Sequence, residues 1–492
     1  METRKLSPQN KEFFALVSRA TFTNPFSDQR LEIDRKISRS RPDTSWVEVR
    51  PDAIEEVSKR IAKLDAEGTA AINDFPKTDQ QLIEHLFLFD VYHQFNEKFD
   101  QLIIDQINAD EKPLPVPFAH NALAELTKRG FTHQRAIQYF SMFYQIRRAF
   151  YFIEKTLTGK CPSMIELRMN LWNNIFTYDI LHYEQYLWDR MEDFSILLLG
   201  PTGCGKGTAA AAIGRSGFIP FDEKKNTFAE SFTEICIPIN LSQYSESLIE
   251  SELFGHTKGA FTGAVASHDG VFSLCGRYGS IFLDEIGEIG TQIQIKLLQV
   301  LQERIFTPVG SHKKLSFHGR VIAATNQSID QLRTEGKFRD DFYYRLCSDC
   351  IQVPSLAQRI KENPNELNEL IAVTTQRITG KRSKELIRTV TEVIKKRLGT
   401  DYHWPGNVRE LEQCVRRIMI KRDYLPDILN LEKEYQNQFL ADIAHGDLDS
   451  QSLLSGYCAL LYEKHGTYEA VAQITKLDRR TVKKHIEYYN QK

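Results

Sequence analysis

Seven residues, Gly200-Pro201-Thr202-Gly203-Cys204-Gly205-Lys206, constrain the fold more than any other stretch of the chain. The apolar run from Ser195 to Leu199 precedes them and predicts a short buried strand. The small-residue run from Thr208 to Ile213 follows and predicts a helix. Strand, glycine-rich turn and helix in immediate succession bring backbone N–H groups to one point, at the positive end of the helix. That arrangement is a phosphate cradle and implies an α/β nucleotide-binding domain. Lys206 is placed to reach the β- and γ-phosphates of a nucleoside triphosphate. Gly207 stands where a serine or threonine ordinarily supplies a hydroxyl to Mg²⁺, and Thr208 faces elsewhere if the helix is regular.

A second apolar run, Ser280-Ile281-Phe282-Leu283, ends in Asp284 and Glu285. Two acids after a strand are common in surface loops. After a buried strand, and downstream of a phosphate loop, they read as catalytic. Asp284 would hold Mg²⁺ through water, and Glu285 would polarise the attacking water. The expected cofactors are therefore ATP and Mg²⁺.

The rest of the chain falls into segments. Residues 1–160 read as a helical regulatory domain. Leu82, Leu86, Phe89, Phe95, Phe99, Leu102 and Ile103 recur at helical spacing, as do Ile137, Phe140, Phe143, Tyr144, Ile146 and Phe150. The dense aromatics read as core packing, and His85, His93, His120 and His133 share no metal-ligand motif. No apolar strand followed by paired acids opens the segment, so a receiver fold is not expected. Residues 161–425 hold the nucleotide-binding domain and a helical lid. A charged linker is expected over 426–449, and a compact helical unit over 450–492. In that unit Tyr468–Ile474 and Arg479–Tyr489 flank a turn at helix-turn-helix spacing, the second helix being basic on one side.

Between the phosphate loop and the paired acids lies Gly259-Ala260-Phe261-Thr262-Gly263-Ala264, in which two glycines bracket an aromatic and a hydroxyl on what reads as a projecting loop. With the motifs above, and with Phe338–Leu346 and His403-Trp404-Pro405-Gly406-Asn407-Val408-Arg409-Glu410-Leu411 downstream, the chain resembles the sigma-54-dependent transcriptional activators, the bacterial enhancer-binding proteins of the AAA+ class. The resemblance covers roughly residues 161–492. It implies that residues 259–264 touch sigma-54, that Asn240 reports nucleotide state to Glu285, and that Asn326 is the first sensor. It also implies that Arg339 and Arg345 are presented to the neighbouring subunit's nucleotide, with Arg409 as second sensor. The tail resembles a Fis-type helix-turn-helix, which assigns Arg479, Arg480, Thr481, Lys483 and Lys484 to duplex DNA. Two positions depart from the family pattern: Gly207, and Ala357, where an arginine is usual and only the nearby Arg359 is retained.

The bulk numbers set limits. A net charge of -2 gives no global basic field, so any DNA contact must be a local patch. No apolar run approaches the roughly 20 residues of a membrane helix, and the polar stretch Met1–Lys11 carries no apolar signal core, so a signal sequence is not expected there. Eight cysteines scattered through 492 residues suit free thiols in a reducing cytoplasm, with Cys347 and Cys350 as flanks of a buried strand. The expectation is a cytoplasmic activator that binds upstream DNA and assembles into a hexameric ring. It would use ATP hydrolysis to remodel the closed complex of sigma-54 RNA polymerase. The alternative is a DNA-binding regulator whose ATPase is vestigial.

Overall fold

The computed structural model describes residues 4–109, 112–399, 402–425, 443, 446 and 448–490. The first third is helical, as its periodicity predicts: α1 Pro8–Phe22, α2 Asp28–Ser38, α3 Trp46–Leu64, α4 Lys77–Ala109, α5 Ala119–Lys128 and α6 His133–Thr156. Ser7, Ser27 and Thr132 cap α1, α2 and α6 by accepting from the backbone N–H three residues on. The long helix α4 has 33 residues and so spans about 50 Å at 1.5 Å per residue. Helices α7 Pro162–Phe176 and α8 Ile180–Tyr186 lead into the sheet.

Five parallel strands form that sheet, in the order Cys236–Asn240, Ser280–Asp284, Arg320–Thr325, Ile196–Leu199, Asp349–Gln352. Its register matters for function. Asn240 lies opposite Asp284, Asp284 opposite Ala324, and Ala324 opposite Leu198. The carboxyl ends of four strands therefore share one edge, where open α/β sheets bind ligands. The phosphate-loop helix α9, Lys206–Gly214, leaves from that edge.

One hydrophobic core runs without a break from Leu6 to Val353 and takes in Phe140, Tyr144 and Phe152 of α6 together with Ala209, Ala210 and Ile213 of α9. A second core covers other strand side chains, such as Leu197 and Leu283, with Leu253, Phe254, Leu297 and Leu301. The large apolar side chains in these cores contribute about 1.5–3 kcal/mol each. Arg148 of α6 is fully buried and donates to the carbonyls of Arg215 and Gly217, at 2.6 and 2.7 Å, where α9 ends. Beside it Gln145 donates to the Ser216 carbonyl at 3.1 Å. The helical third is thus tied to the phosphate-loop helix by packing and by a cation at that helix's negative end.

The described residues divide into two compact units, Met1–Val373 and Thr374–Lys492. In the second, helices Lys384–Leu398 and Asn407–Lys421 pack together, with Arg397 paired to Asp423 at 2.6 Å. The turn before the latter helix buries Trp404 against Tyr402, and Glu410 accepts from the Gly406 N–H and the Tyr402 hydroxyl. The tail has three helices, Ser450–His465, Tyr468–Thr475 and Arg479–Asn490, around Cys458, Val471, Val482 and Ile486. The first of these is additional to the pair that spacing predicts. Most of the expected linker, 426–449, lies outside the described residues.

Candidate functional site: the phosphate loop, the paired acids and the raised loop

The phosphate loop depends on its glycines. Gly203 and Gly205 have φ of 76° and 112°, in the region that disfavours side chains, and Gly205 has nothing within 4 Å of an added Cβ. A Cβ on Gly200 would meet the Val353 carbonyl at 2.6 Å and the Cys204 sulfur at 2.9 Å. Cys204 is buried, and burial raises its thiol pKa, so it packs beneath the loop as a neutral group. Lys206 is buried at the start of α9 and donates to the carbonyls of Gly200 and Pro201 at 2.8 and 3.3 Å. A triphosphate would give that ammonium anionic partners in place of two carbonyls. The cradle fits such a group.

The fit to Mg²⁺ is less complete. Gly207 and Thr208 are both exposed, and an added Cβ on Gly207 would meet only the Phe282 ring, at 3.8 Å. There is room for a hydroxyl side chain, and the chain does not supply one. Asp284 ends its strand and its Oδ1 accepts from the Glu285 N–H at 3.1 Å.

Glu285 has φ 57° and ψ 48°, a left-handed conformation that non-glycine residues rarely adopt. Its carboxylate accepts from the Asn326 N–H at 3.2 Å, and the Asn326 amide donates to the Thr202 hydroxyl at 2.7 Å. Glu285, Asn326 and the phosphate loop are therefore brought together in one chain of hydrogen bonds. Asn240 is not joined to it. Its side-chain oxygen accepts from the N–H and hydroxyl of Ser242, at 3.0 and 2.8 Å, and caps the short helix Leu241–Gln243. It stands one strand away, opposite Asp284.

The arginines are engaged locally. Arg339 is bidentate to Asp341 at 2.9 and 2.7 Å, at the start of helix Asp340–Leu346. Arg345 donates through Nε and Nη2 to the Leu301 carbonyl at 3.0 and 2.8 Å. Arg359 is buried and pairs with Glu366 at 2.8 Å while donating to the Thr158 carbonyl, so it ties the chain around residue 160 to helix Asn365–Thr379. Arg409 lies exposed in the second unit, on helix Asn407–Lys421.

The loop at 259–264 projects after helix Glu246–Phe254. Gly259 and Gly263 have φ of 82° and 101°, and the Gly259 N–H donates to the Ala264 carbonyl at 2.9 Å. This closes a tight hairpin with Phe261 and Thr262 exposed at its tip, Ala260 partly covered, and Ala264 buried at its base. A second loop braces it. Thr257 donates to the Val309 carbonyl, and a Cβ on Gly310 would meet that of Ala260 at 2.7 Å. His256, which motif reading passes over, supports the tip. Its Nε2 donates to the Ala266 carbonyl at 3.0 Å, Nδ1 meets the Ser251 hydroxyl at 2.7 Å, and its ring meets Phe261 edge-on at 4.9 Å.

On the tail, Arg479, Arg480, Lys483 and Lys484 are exposed along one helix. Arg479 pairs with Glu469 at 2.9 Å and Lys483 lies 3.6 Å from Glu487. The Thr481 hydroxyl is 2.5 Å from Asp478, which also caps the helix start through the N–H groups of Arg480 and Thr481. Among the described residues no group of three or more His, Cys, Asp or Glu could hold a metal, and no helix is long and apolar enough to cross a membrane. Cys347 and Cys350 are free, Cys350 lying on the edge strand.

Residues 183–352 match the Sigma-54 interaction domain, and residues 361–439 match the AAA+ ATPase lid domain. The chain belongs to the sigma-54-dependent transcriptional activator family. Among its relatives are the transcriptional regulatory protein GlrR of Escherichia coli (strain K12), 40% identical over 45% of this chain and 47% of that protein, and the nitrogen fixation protein AnfA of Azotobacter vinelandii, 37% identical over 50% of this chain and 44% of that protein. A protein from the HyuA 5' region of Pseudomonas sp. (strain NS671) is 36% identical over 46% of this chain and 71% of its own length. This chain spans about half the length of the first two relatives it matches. The crystal structure of NtrX from Brucella abortus aligns with 75% of this chain and 80% of its own, at 20% identity and a TM-score of 0.40. By the matches at residues 183–352 and 361–439, the central domain is an AAA+ nucleotide-binding domain with its helical lid.

Proposed function

We propose that the protein hydrolyses ATP with Mg²⁺ in a ring of its own copies, and that the cycle moves the Phe261–Thr262 tip against sigma-54 in a closed polymerase complex. The observation that carries this reading is the hydrogen-bonded chain from Thr202 through Asn326 to Glu285, in the same unit as the braced tip. The bound nucleotide and Mg²⁺ would supply the phosphoryl group and offset its charge. Lys206 and the loop N–H groups would hold the phosphates, and Asp284 would orient the metal's water ligands. Glu285 would take hydrogen bonds from the attacking water, with Asn326 fixing its carboxylate. Asn240 would join Glu285 only after releasing Ser242, which gives it two positions, as a nucleotide-reporting switch requires.

In this reading Arg339 and Arg345 face the next subunit's nucleotide and Arg409 is the second sensor. Residues 479–484 bind an upstream duplex site, and residues 1–160 gate the ATPase. The proposed divisions at 160, 425 and 449 are functional ones. The core continuous across residue 160 argues against a separately folding first third. Gly207 favours the second reading, a DNA-binding regulator with a vestigial ATPase.

Thr262→Ala, assayed on one preparation, tests the proposal. Mg²⁺-dependent turnover should stay within about twofold of the parent, because Thr262 lies outside the phosphate site. Sigma-54-dependent open-complex formation should be lost. A protein without turnover under any condition would favour the vestigial reading. Normal transcription by the folded variant would remove the tip from the mechanism.

A further inference from the structure

Helices α2, α3 and α6 of the first third, together with α7, line a cleft of about 530 Å³. That is within the roughly 300–1,000 Å³ range of small-molecule sites. Its walls include Phe26, Trp46, Phe150 and Ile165, and its far side is closed by residues 157–160 and Glu369. A narrower cavity of about 80 Å³ shares Pro25, Arg30, Arg50 and Phe150 with it, and continues inward past Tyr92, His93 and Trp172. Arg50 thus lines both spaces.

The charges in the cleft are unequally matched. Arg30 shares its Nε–H between the two carboxylate oxygens of Asp34, at 2.9 and 3.0 Å, and also donates through Nη1 to the Ala20 carbonyl. Arg168 lies 3.8 Å from Glu154 and donates to the carbonyls of Leu157 and Gly159. Asp28 and Lys160 are exposed at the surface, and Glu369 is partly covered. Arg50 has no carboxylate or carbonyl partner among the described residues. Its guanidinium sits over the Phe150 ring at 4.8 Å and near Trp46 at 5.8 Å. Burial, and then the neighbouring Arg30, lower its pKa to about 10. Arg50 is partly covered, and Asp34, the acid whose charge acts on it, is already hydrogen-bonded to Arg30; a covered cation without a hydrogen-bonded acid of its own is costly in a ligand-free fold. An anion in the cleft would meet that cation, and the aromatic walls would cover an apolar body.

We propose that this cleft binds a small amphipathic monocarboxylate, an aromatic or medium-chain organic acid, with its carboxylate on Arg50 and its apolar body against Phe150, Phe26 and Trp46. The cleft also adjoins the link from residues 158–161 through Arg359 and Glu366 to helix Asn365–Thr379, where Glu366 accepts from the N–H groups of Lys160 and Cys161. That a bound acid would act as the signal rests on the gating reading above. The binding itself does not.

The test uses the full-length protein with phenylacetate and octanoate as probes, and phenylacetamide and octanamide as uncharged counterparts. Binding is read by tryptophan fluorescence, since Trp46 and Trp172 line the two spaces, and by the shift in melting temperature. At least one acid should give a saturable fluorescence change and a melting temperature raised by several degrees, with its amide binding at least tenfold more weakly. Arg50→Met should abolish the ligand response and leave the ligand-free melting temperature equal or higher, since it removes a partly covered cation that has no hydrogen-bonded acid. Arg50→Lys should bind more weakly than the parent. Failure of both acids, equal binding of acid and amide, or a full response in Arg50→Met would overturn the site. A ligand-free melting temperature several degrees lower in Arg50→Met would assign Arg50 to packing and also overturn it. ATPase measured with and without the acid then tests gating by itself: binding with unchanged turnover refutes the gate and leaves the site standing.

Discussion

His256 sits in the stretch Ser251–Ala264 without being marked out by its type, and Arg148 lies outside every motif, yet each fixes a part of the site. His256 holds the base of the raised loop through both ring nitrogens and meets Phe261 edge-on. Its two hydrogen bonds contribute about 0.5–1.5 kcal/mol each, and the aromatic pair adds a similar amount. His256→Ala should therefore leave ATP turnover within about twofold while weakening sigma-54 binding in an ATP transition-state mimic by roughly tenfold. Equal partner binding by variant and parent would show that the tip needs no support from this ring. Arg148 acts at the other end of the phosphate-loop helix. Arg148→Met would leave the carbonyls of Arg215 and Gly217 buried without their donor, and should destabilise unit Met1–Val373 by about 2–4 kcal/mol, read by urea unfolding. A loss under about 0.5 kcal/mol would show that water replaces the guanidinium. Neither role is legible in sequence. Arg148 meets its partners 67 and 69 residues away, and periodicity reports only which face of a helix is apolar. The strand, glycine loop and helix could be read because a phosphate cradle demands particular residue types at short spacing, whereas Asn326 was picked out only by the family resemblance, and the fold sets it between Thr202 and Glu285.

At the scale of elements, the sheet register does what no single motif can. It sets Asn240, Asp284 and Leu198 along one edge, with Asn326 just beyond its strand, from segments scattered over more than a hundred residues. Strand runs and their endings could be read from apolar stretches, but the order that places Ile196–Leu199 between Arg320–Thr325 and Asp349–Gln352 could not. The tail shows the same division. Two helices at helix-turn-helix spacing were visible, whereas Ser450–His465 was not singled out, because its apolar residues, Leu453, Leu454 and the unbroken run Tyr457–Tyr462, surround the helix and give no one-sided stripe. On the basic helix, Arg480 and Lys484 have no acidic partner among the described residues, while Arg479 and Lys483 do. Arg480→Ala should accordingly weaken specific duplex binding more than Lys483→Ala, by at least about fivefold, in a titration at fixed salt. Parent affinity should fall steeply as salt rises, because phosphate contacts release counterions. Affinity indifferent to salt, or unaffected by Arg480→Ala, would take the helix out of the DNA interface.

The whole-molecule question is whether one chain can complete its own catalytic site. Arg339 is held by Asp341 and Arg345 by the Leu301 carbonyl, so neither guanidinium is spent on the chain's own phosphate loop. A trans-acting arginine is worth about 10³–10⁵ in rate where it completes a phosphoryl-transfer site. Turnover per chain should therefore rise with protein concentration until assembly saturates. Arg339→Ala is the cleaner variant, since Arg339 is partly exposed and bonded only to a surface acid, whereas Arg345→Ala also frees a carbonyl at the end of a core helix. A complementation experiment separates cis from trans. Lys206→Ala should disable its own phosphate loop while keeping its arginines, and Arg339→Ala should keep its phosphate loop while losing the arginine it presents. Each alone should be inactive. Mixed in equal amounts, they place an intact arginine beside an intact phosphate loop at some interfaces, and a substantial fraction of turnover should return. If Arg339 instead acted within its own chain, no mixed assembly would contain a complete site, and the mixture would stay as inactive as its components. Turnover strictly proportional to protein, together with silence in the mixture and full activity in Arg339→Ala alone, would end the ring proposal.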